Sequence, residues 1–499
     1  MRIFSAEEMR RLEEELISGG TRVETLMFTA GVNSAGIIRN RFLSPAGQRP
    51  FARVTVICGG GNNGGDGIVA AMELEKYCPV TCILVVPEDK LAYPARFFAE
   101  KYTGKIVRTL PCGDEFPPGT VIIDALAGIG LKGVLRENLR IWAEAINSSG
   151  CPVVSLDIPS GLECDTGKCP DGACFVRADM TVAAGVFKPC HISSDICGLL
   201  ELASITDSPL RAEDAAGKIN AVTRDDALPI FRPRSIAGHK NLAGRIAVAA
   251  GSSAYSGAPV LAVSGAMAGG AGIIRLTIPS AALAGRHIPP EIILNTPDGE
   301  YLDMKSFDSI SAAASQSDVL LAGPGMGTAP GTGELVREIM QNCELPVIAD
   351  ADCLNLLAGH PEWCSARKYP TVLTPHPGEA RRLAPETADM SRPEQALFIA
   401  KKYNGVVLLK GCRSVIAAPD GRCSINTSGS TVLSTAGSGD VLAGLLAALL
   451  PGNDPFCAAA SAAWLHGKSG EISPFNRGTA AGDLPGLIVK FCAANSRIY

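Results

Sequence analysis

The chain is poor in aromatic residues, at 5%, and at a net charge of −5 it has no run of Lys and Arg and no basic stripe. A nucleic-acid partner is therefore not expected. Its 17 cysteines include no Cys-x-x-Cys pair. The nearest grouping, Cys164, Cys169 and Cys174, has a spacing that matches no zinc site. No apolar run approaches the ~20 residues that span a bilayer, so stretches such as Val441–Leu450 read as buried helices and no membrane partner is expected. The opening MRIFSAEEMRRLEEE lacks the apolar core of a secretory signal. The chain is accordingly expected to be cytoplasmic, with its thiols reduced.

Glycine is abundant, at 54 residues, and alanine is plentiful; this suits α/β layers with close helix–strand packing. A length of 499 residues exceeds one ordinary domain. Near the start, Met9, Leu12 and Leu16 share one face of an amphipathic helix that Ser5 and Glu8 can cap. Short β-branched runs follow at Arg53–Cys58, Val80–Val86, Thr120–Asp124, Pro152–Asp157 and Met180–Ala183. They are continuous rather than alternating, which predicts strands buried on both faces of a parallel sheet. The second half repeats the rhythm at Arg245–Ala250, Ile273–Ile278, Val319–Ala322, Val347–Asp350, Thr371–Leu373, Val406–Leu409 and Val415–Ala418. The pattern fades into charged, proline-bearing sequence between them. The expected organisation is a doubly wound, Rossmann-like domain over 1–215, a linker over 216–237 and a second α/β domain over 238–499.

Glycine loops occur where such sheets bind ligands. Cys58 runs into Gly59–Gly67, a stretch with six glycines, two Asn and Asp66, before a helix near Ile68. Backbone N–H groups and a helix N-terminus make a seat for phosphate there; a tight strand–helix turn would need far less glycine. Asp124 and Asp157 end apolar runs, and Ser160 follows. With Asn63 they offer hard oxygen ligands for an alkali or alkaline-earth cation, although either Asp alone could cap a helix. In the second half, Ser434–Asp440 precedes an apolar helix. Its N–H groups can stabilise a transferring phosphoryl group, and Asp440 can take a proton from an attacking hydroxyl. The bland alternative is an Asp that only answers the helix dipole. Gly323–Gly327, Thr374–Glu379 and Lys410–Ser414 all follow strands and so share one rim. His376, held between Pro375 and Pro377, has a pre-set loop geometry.

In order, the motifs NNGGDG, VIIDALAGIGLKG, SLDIPSGLECDTG, GVFKP, HK at 239–240, GSSAYSGAPVLA, GPGMG, DADCLNLL, TPHPGE, KGCRS, AGSGD and AAWLHG resemble those of the bifunctional NAD(P)H-hydrate repair enzymes. The resemblance covers about residues 1–490. It implies a Rossmann-like epimerase domain followed by a ribokinase-like, ADP-dependent dehydratase domain. The implied substrates are NADHX and NADPHX, reduced nicotinamide cofactors hydrated at C6. The first domain would interconvert their epimers. The second would phosphorylate the S epimer from ADP, taken as its magnesium complex, and release phosphate, AMP and the repaired cofactor.

The resemblance also assigns residues. Asn62, Asn63, Gly64, Gly65 and Asp66 would hold the substrate phosphates, and Asn63, Asp124 and Ser160 a potassium ion. Gly128, Ile129, Gly130, Leu131, Lys132, Gly133, Val134 and a catalytic Asp157 would complete the epimerase site. Ala258, Gly325, His376 and Asp440 would contact the hydrate, with Asp440 as the catalytic base. Lys410, Gly411, Cys412, Arg413, Ser414 and Gly439 would contact the adenine nucleotide. A homo-oligomer is expected. Phe28 departs from the family pattern, where Glu is usual; Ser438 and Asn241 are milder departures. Two other readings compete: a vitamin or sugar-alcohol kinase using ATP, which leaves the first domain unexplained, and a non-catalytic scaffold role for the first domain. A scaffold would have no need of NNGGDG, Asp124, Asp157 and Lys188 together.

Overall fold

Continuous apolar runs do become fully buried strands: Arg53–Cys58, Thr120–Ala125 and Val153–Leu156 bury almost every residue. The computed structural model describes all residues except 44–50, 109, 112–115, 171, 207–218, 232–242, 284, 474–476 and 496–499. The expected His-Lys motif at 239–240 and Asn241 lie outside the described residues. The chain divides into two units, Met1–Glu213 and Asp214–Tyr499.

The first unit holds seven parallel strands: β1 (Arg53–Cys58), β2 (Val80–Leu84), β3 (Ile106–Val107), β4 (Thr120–Ala125), β5 (Val153–Leu156), β6 (Met180–Ala184) and β7 (Leu199–Ala203), in the order β3-β2-β1-β4-β5-β6-β7. The order reverses direction between β1 and β4. In a doubly wound sheet this switch point opens the ligand crevice. The register pairs Ile57 with Asp124 and Cys58 with Ala125, so the glycine loop after β1 and the carboxylate of β4 emerge side by side.

The second unit holds ten strands: β8 (Ile219–Val222), β9 (Arg245–Ala249), β10 (Ile273–Thr277), β11 (Ile293–Asn295), β12 (Val319–Ala322), β13 (Val347–Ala349), β14 (Thr371–Leu373), β15 (Val406–Leu409), β16 (Val415–Ala417) and β17 (Cys423–Asn426). Their order is β11-β10-β9-β12-β13-β14-β15-β16-β17-β8. Here the switch point lies between β9 and β12, and among the described strands only β16 runs antiparallel to its neighbours.

The expected linker over 216–237 needs correction. Its described part carries β8, which pairs with β17, and a short helix, Arg224–Ala227. Val222 and Ala227 enter the core of the second unit, and Thr427 Oγ1 donates to the Val222 carbonyl at 2.6 Å. A fragment starting at residue 238 should therefore melt well below one starting at 214, since burying the Val222 side chain alone is worth roughly 1.5–3 kcal/mol. Equal melting temperatures would show that β8 adds nothing. Among the described residues no helix is long and apolar enough to cross a membrane, and every described cysteine is a free thiol.

Candidate active sites

The first site grows from the loop between β1 and the helix Asn62–Leu74. Gly61 caps this helix without any side-chain hydrogen bond, so no side chain occupies its leading N–H groups, the groups that can seat an anion. Several glycines of the motif serve packing. A Cβ on Gly64 would lie 1.9 Å from the Gly59 carbonyl oxygen, one on Gly65 would strike Met27, and one on Gly67 would strike Ala125. The glycine content thus divides between close helix–sheet contact at Gly64, Gly65 and Gly67 and an open edge at Gly61 and the exposed Asn62.

Asn63 is buried, and neither its Oδ1 nor its Nδ2 has a hydrogen-bond partner among the described residues. A Cβ on Gly128 would stand 3.3 Å from Asn63 Cβ and 3.2 Å from Asp157 Oδ2, so these three expected residues do meet. Asp124 is fully buried and held by four neutral donors: Ser160 Oγ at 2.6 Å, Ser155 Oγ at 2.7 Å, Ser160 N at 3.0 Å and Leu126 N at 3.2 Å. Burial pushes its carboxyl up, and those donors, Ser160 first, pull against it. Ser160 Oγ also accepts from Ala127 N at 2.9 Å, tying the metal-candidate pair to the loop that runs from β4 into Gly128.

Asp157 sits at φ +61°, in the left-handed region. Two contacts hold it there. Lys188 Nζ donates to Oδ1 at 2.5 Å, and His191 Nε2 lies 2.7 Å from the Asp157 carbonyl. His191 Nδ1 accepts from Lys188 N, which leaves Nε2 to carry the proton. Burial would raise the Asp157 carboxyl, but Lys188 outweighs it and holds it below the ordinary range. Asp66 behaves oppositely: burial, then the charges of Asp157 and Glu13, push it well above the ordinary range. The site therefore holds two carboxyls with proton affinities driven apart, the signature of an acid–base pair.

Sequence reasoning missed Glu13 as a member of this site. It lies on the helix Ala6–Ser18, whose Arg10 Nη2 reaches the Ile129 carbonyl at 3.3 Å, and its own carboxyl is raised by burial and then by Asp157. On an amphipathic helix a glutamate reads as solvated, and nothing in its spacing says otherwise. The far end of the expected loop, Lys132, Gly133 and Val134, is exposed and stays apart from this cluster. Gly133 borders a cleft of about 310 Å³ with Glu163, Lys168, Cys169 and Pro170. Phe28 is exposed and stacks on Phe98 at 6.3 Å.

The second site lies over the β9–β12 switch point. Gly325 at φ +63° packs so closely that a Cβ would be 2.6 Å from the Tyr255 carbonyl oxygen and 3.1 Å from Ala258 Cβ, and Ser252 Oγ donates to its carbonyl at 2.9 Å. The expected Ala258–Gly325 pair is thereby together. Gly437, at φ +88°, turns the chain into the helix Ser438–Leu449 without a side-chain cap. Asp440 stands in the first turn of that helix. Lys410 Nζ bonds Asp350 Oδ1 at 2.7 Å and would lie 3.4 Å from a Cβ on Gly439. Thr374 Oγ1 shares the same Asp350 oxygen at 2.6 Å. Burial first, then Asp350, raises the Asp440 carboxyl to about 7, with Lys410 pulling it down.

His376 caps the helix Pro377–Leu383. Its Nδ1 accepts from Gly378 N at 2.9 Å, and Glu379 Oε2 accepts from His376 N at 2.8 Å. Burial and then Lys410 lower its pKa, favouring a neutral ring, and its Nε2 lies 3.4 Å from Glu379 Oε1. In the loop Lys410–Ser414, the Arg413 side chain is turned to the Thr427 carbonyl at 3.0 Å, and Cys412 is exposed.

Residues 246–492 match the family model of NAD(P)H-hydrate dehydratase, and residues 23–190 match that of the YjeF-related protein N-terminus. The bifunctional NAD(P)H-hydrate repair enzyme Nnr of Gloeobacter violaceus is 34% identical over 490 residues, covering 94% of this chain and 93% of its own. The chain belongs to the bifunctional NAD(P)H-hydrate repair enzyme family. The Nnr of Moorella thermoacetica is likewise 34% identical, over 97% of this chain and 95% of its own. A crystal structure of a ribokinase-like superfamily protein from Enterococcus faecalis V583 matches with a TM-score of 0.50 at 20% identity, covering 57% of this chain and 99% of that chain. That likeness concerns the fold. In this chain the two switch points carry the two sets of motifs.

Proposed function

We propose that the first unit interconverts the R and S epimers of hydrated NADH and NADPH, and that the second dehydrates the S epimer with ADP, yielding the repaired cofactor, AMP and phosphate. The observation that carries the reading is the presence of two complete crevices in one family member, each with a helix N-terminus for phosphate beside a carboxyl of altered proton affinity.

At the first site the N–H groups after Gly61 seat the substrate phosphates. Asp66, neutral, protonates the departing C6 hydroxyl, which leaves as water. Asp157, ionised beside Lys188, takes the proton of the water that returns to either face of C6, and a proton passes back to Asp66 to reset the site. At the second site Asp440 takes the proton of the C6 hydroxyl as the terminal phosphoryl group of ADP, entering as its magnesium complex, moves to that oxygen. The N–H groups at the start of Ser438–Leu449 and the Lys410 ammonium face the charge that develops. The ring nitrogen then expels phosphate, and loss of a C5 proton to solvent restores the C5–C6 double bond of the reduced cofactor. The purified S epimer, ADP and the protein should give NADH and AMP in equal amounts; NADH formed without ADP, or AMP formed without NADH, would sink this reading.

The residues at the first site fit potassium. Asn63 offers a buried amide oxygen with no partner among the described residues, and Asp124 a buried carboxylate held by neutral donors. One carboxylate with an amide and a hydroxyl gives a low ligand charge, suited to a large monovalent ion rather than Mg²⁺. Such an ion would offset the repulsion between that carboxylate and an anionic substrate. Epimerisation should therefore run at least tenfold faster in potassium than in a bulky organic cation (roughly one lost charge-assisted contact). Asp124→Ala should remove that difference and leave dehydration of the pure S epimer untouched. Equal rates in the two cations would rule out a functional potassium site.

A further inference from the structure

Arg392 opens the helix Arg392–Lys402, a position where the positive end of the helix dipole disfavours a cation. The only carboxylate in that first turn, Glu394, is occupied by Ser391 N and Oγ. The guanidinium instead reaches across to the loop that follows β15. Nη2 donates to the carbonyls of Leu409 at 3.2 Å and Lys410 at 3.3 Å, and Nη1 to that of Cys412. Its Nε is buried without a partner among the described residues. A Cβ on Gly411 would stand 2.9 Å from Nη2, so the loop and the guanidinium are in close contact.

Peptide planarity gives this clamp a direction. In a trans peptide the carbonyl and the following N–H point opposite ways. Drawing the Lys410 and Cys412 carbonyls onto Arg392 turns the N–H groups of Gly411 and Arg413 to the other side of the loop. Gly411 at φ +144° and Arg413 at φ +53° take backbone conformations that few residues adopt unaided. Successive N–H groups aimed to one side form an anion-binding concavity.

We propose that Arg392 is the positioning residue of the nucleotide loop: it holds the Lys410 and Cys412 carbonyls so that the Gly411 and Arg413 N–H groups face the phosphates of a nucleoside diphosphate. The inference rests on the reading of Lys410–Ser414 as the ADP loop. A fork that spans three carbonyls cannot be replaced by an ammonium. Arg392→Lys, which keeps the charge, and Arg392→Met should both raise the Kd and KM for ADP by about tenfold or more, the loss expected when a charge-assisted hydrogen-bond set goes. The affinity for adenosine and the kcat at saturating ADP should stay within about threefold.

Titration calorimetry with ADP and with adenosine tests this, with thermal melts to confirm that both variants are folded. Full ADP affinity in Arg392→Lys would overturn the clamp in favour of a charge effect. Equal losses for ADP and adenosine, or a fall in kcat at unchanged KM, would overturn it in favour of general distortion. If Arg392→Met fails to fold, Arg392→Lys alone decides between these outcomes. Wild-type protein that does not bind ADP would instead remove the reading on which the clamp rests.

Discussion

Replacing Asp440 by Asn is expected to lower ADP-dependent dehydration by ~10²–10⁴-fold, the contribution of a positioned base, while ADP binding and epimerisation are unchanged. The side chain stands at the start of a helix with no competing cap, and its neighbours Asp350, Asp352 and Glu379 disfavour a further negative charge while Lys410 favours it. Burial and this surrounding charge place its pKa at about 7. A base must be ionised, a raised carboxyl is neutral below its pKa, and so the dehydration rate should fall as pH drops through about 7 and level off above it. Lys410→Met removes the charge that lowers Asp440 and should move this acid limb upward. A tenfold or smaller loss in Asp440→Asn, or a limb at the ordinary carboxylate range, would remove Asp440 from the role of base.

Lys188→Met should be the most damaging change in the first unit. Lys188 is fully buried, and its ammonium is the partner of the buried Asp157 carboxylate. Breaking a buried ion pair from one side costs roughly 3–5 kcal/mol, because the remaining charge is left uncompensated. Asp157 then loses the charge that keeps it ionised, so epimerisation should fall by at least ~10². Dehydration of the pure S epimer, carried by the other unit, should proceed at the wild-type rate and serves as the internal control. Epimerisation within tenfold of wild type would show that the pair is structural only.

Much of both sites could be read from residue order, for a physical reason. Asp124 and Asp157 end continuous apolar runs, and a carboxylate leaving a two-sided buried strand has nowhere to go but the rim where ligands bind. The glycine loops were legible for the same reason, although three of the glycines in NNGGDG and its flank answer to Met27, Ala125 and the Gly59 backbone rather than to a ligand. The short edge strands were not legible. Ile219–Val222 lies in polar, proline-bearing surroundings and is too brief to show a period, yet β17 gives it a partner that only the fold supplies. Leu199–Ala203 and Ile293–Asn295, also at sheet edges, escaped for similar reasons, and Cys423–Asn426, which lies inside the sheet, is too short to show a period.

Individual side chains escaped where their partners are distant in sequence. Asp350 belongs to Lys410, 60 residues on, and Arg392 to a loop whose carbonyls carry no residue-specific signal. Glu13 reads as surface until Asp157 and Asp66 are placed opposite it. Lys188 was conspicuous in GVFKP, but its bond to Asp157 and the supporting His191 became clear only with the left-handed turn at Asp157.

A mixture of both epimers of NADH hydrate shows whether one chain carries two cooperating activities. With ADP, the wild-type protein should return the whole mixture to NADH, whereas Lys188→Met should stop once the S epimer is consumed and Asp440→Asn should produce almost none. Wild-type conversion that stops at the S fraction, or complete conversion by Lys188→Met, would contradict the account.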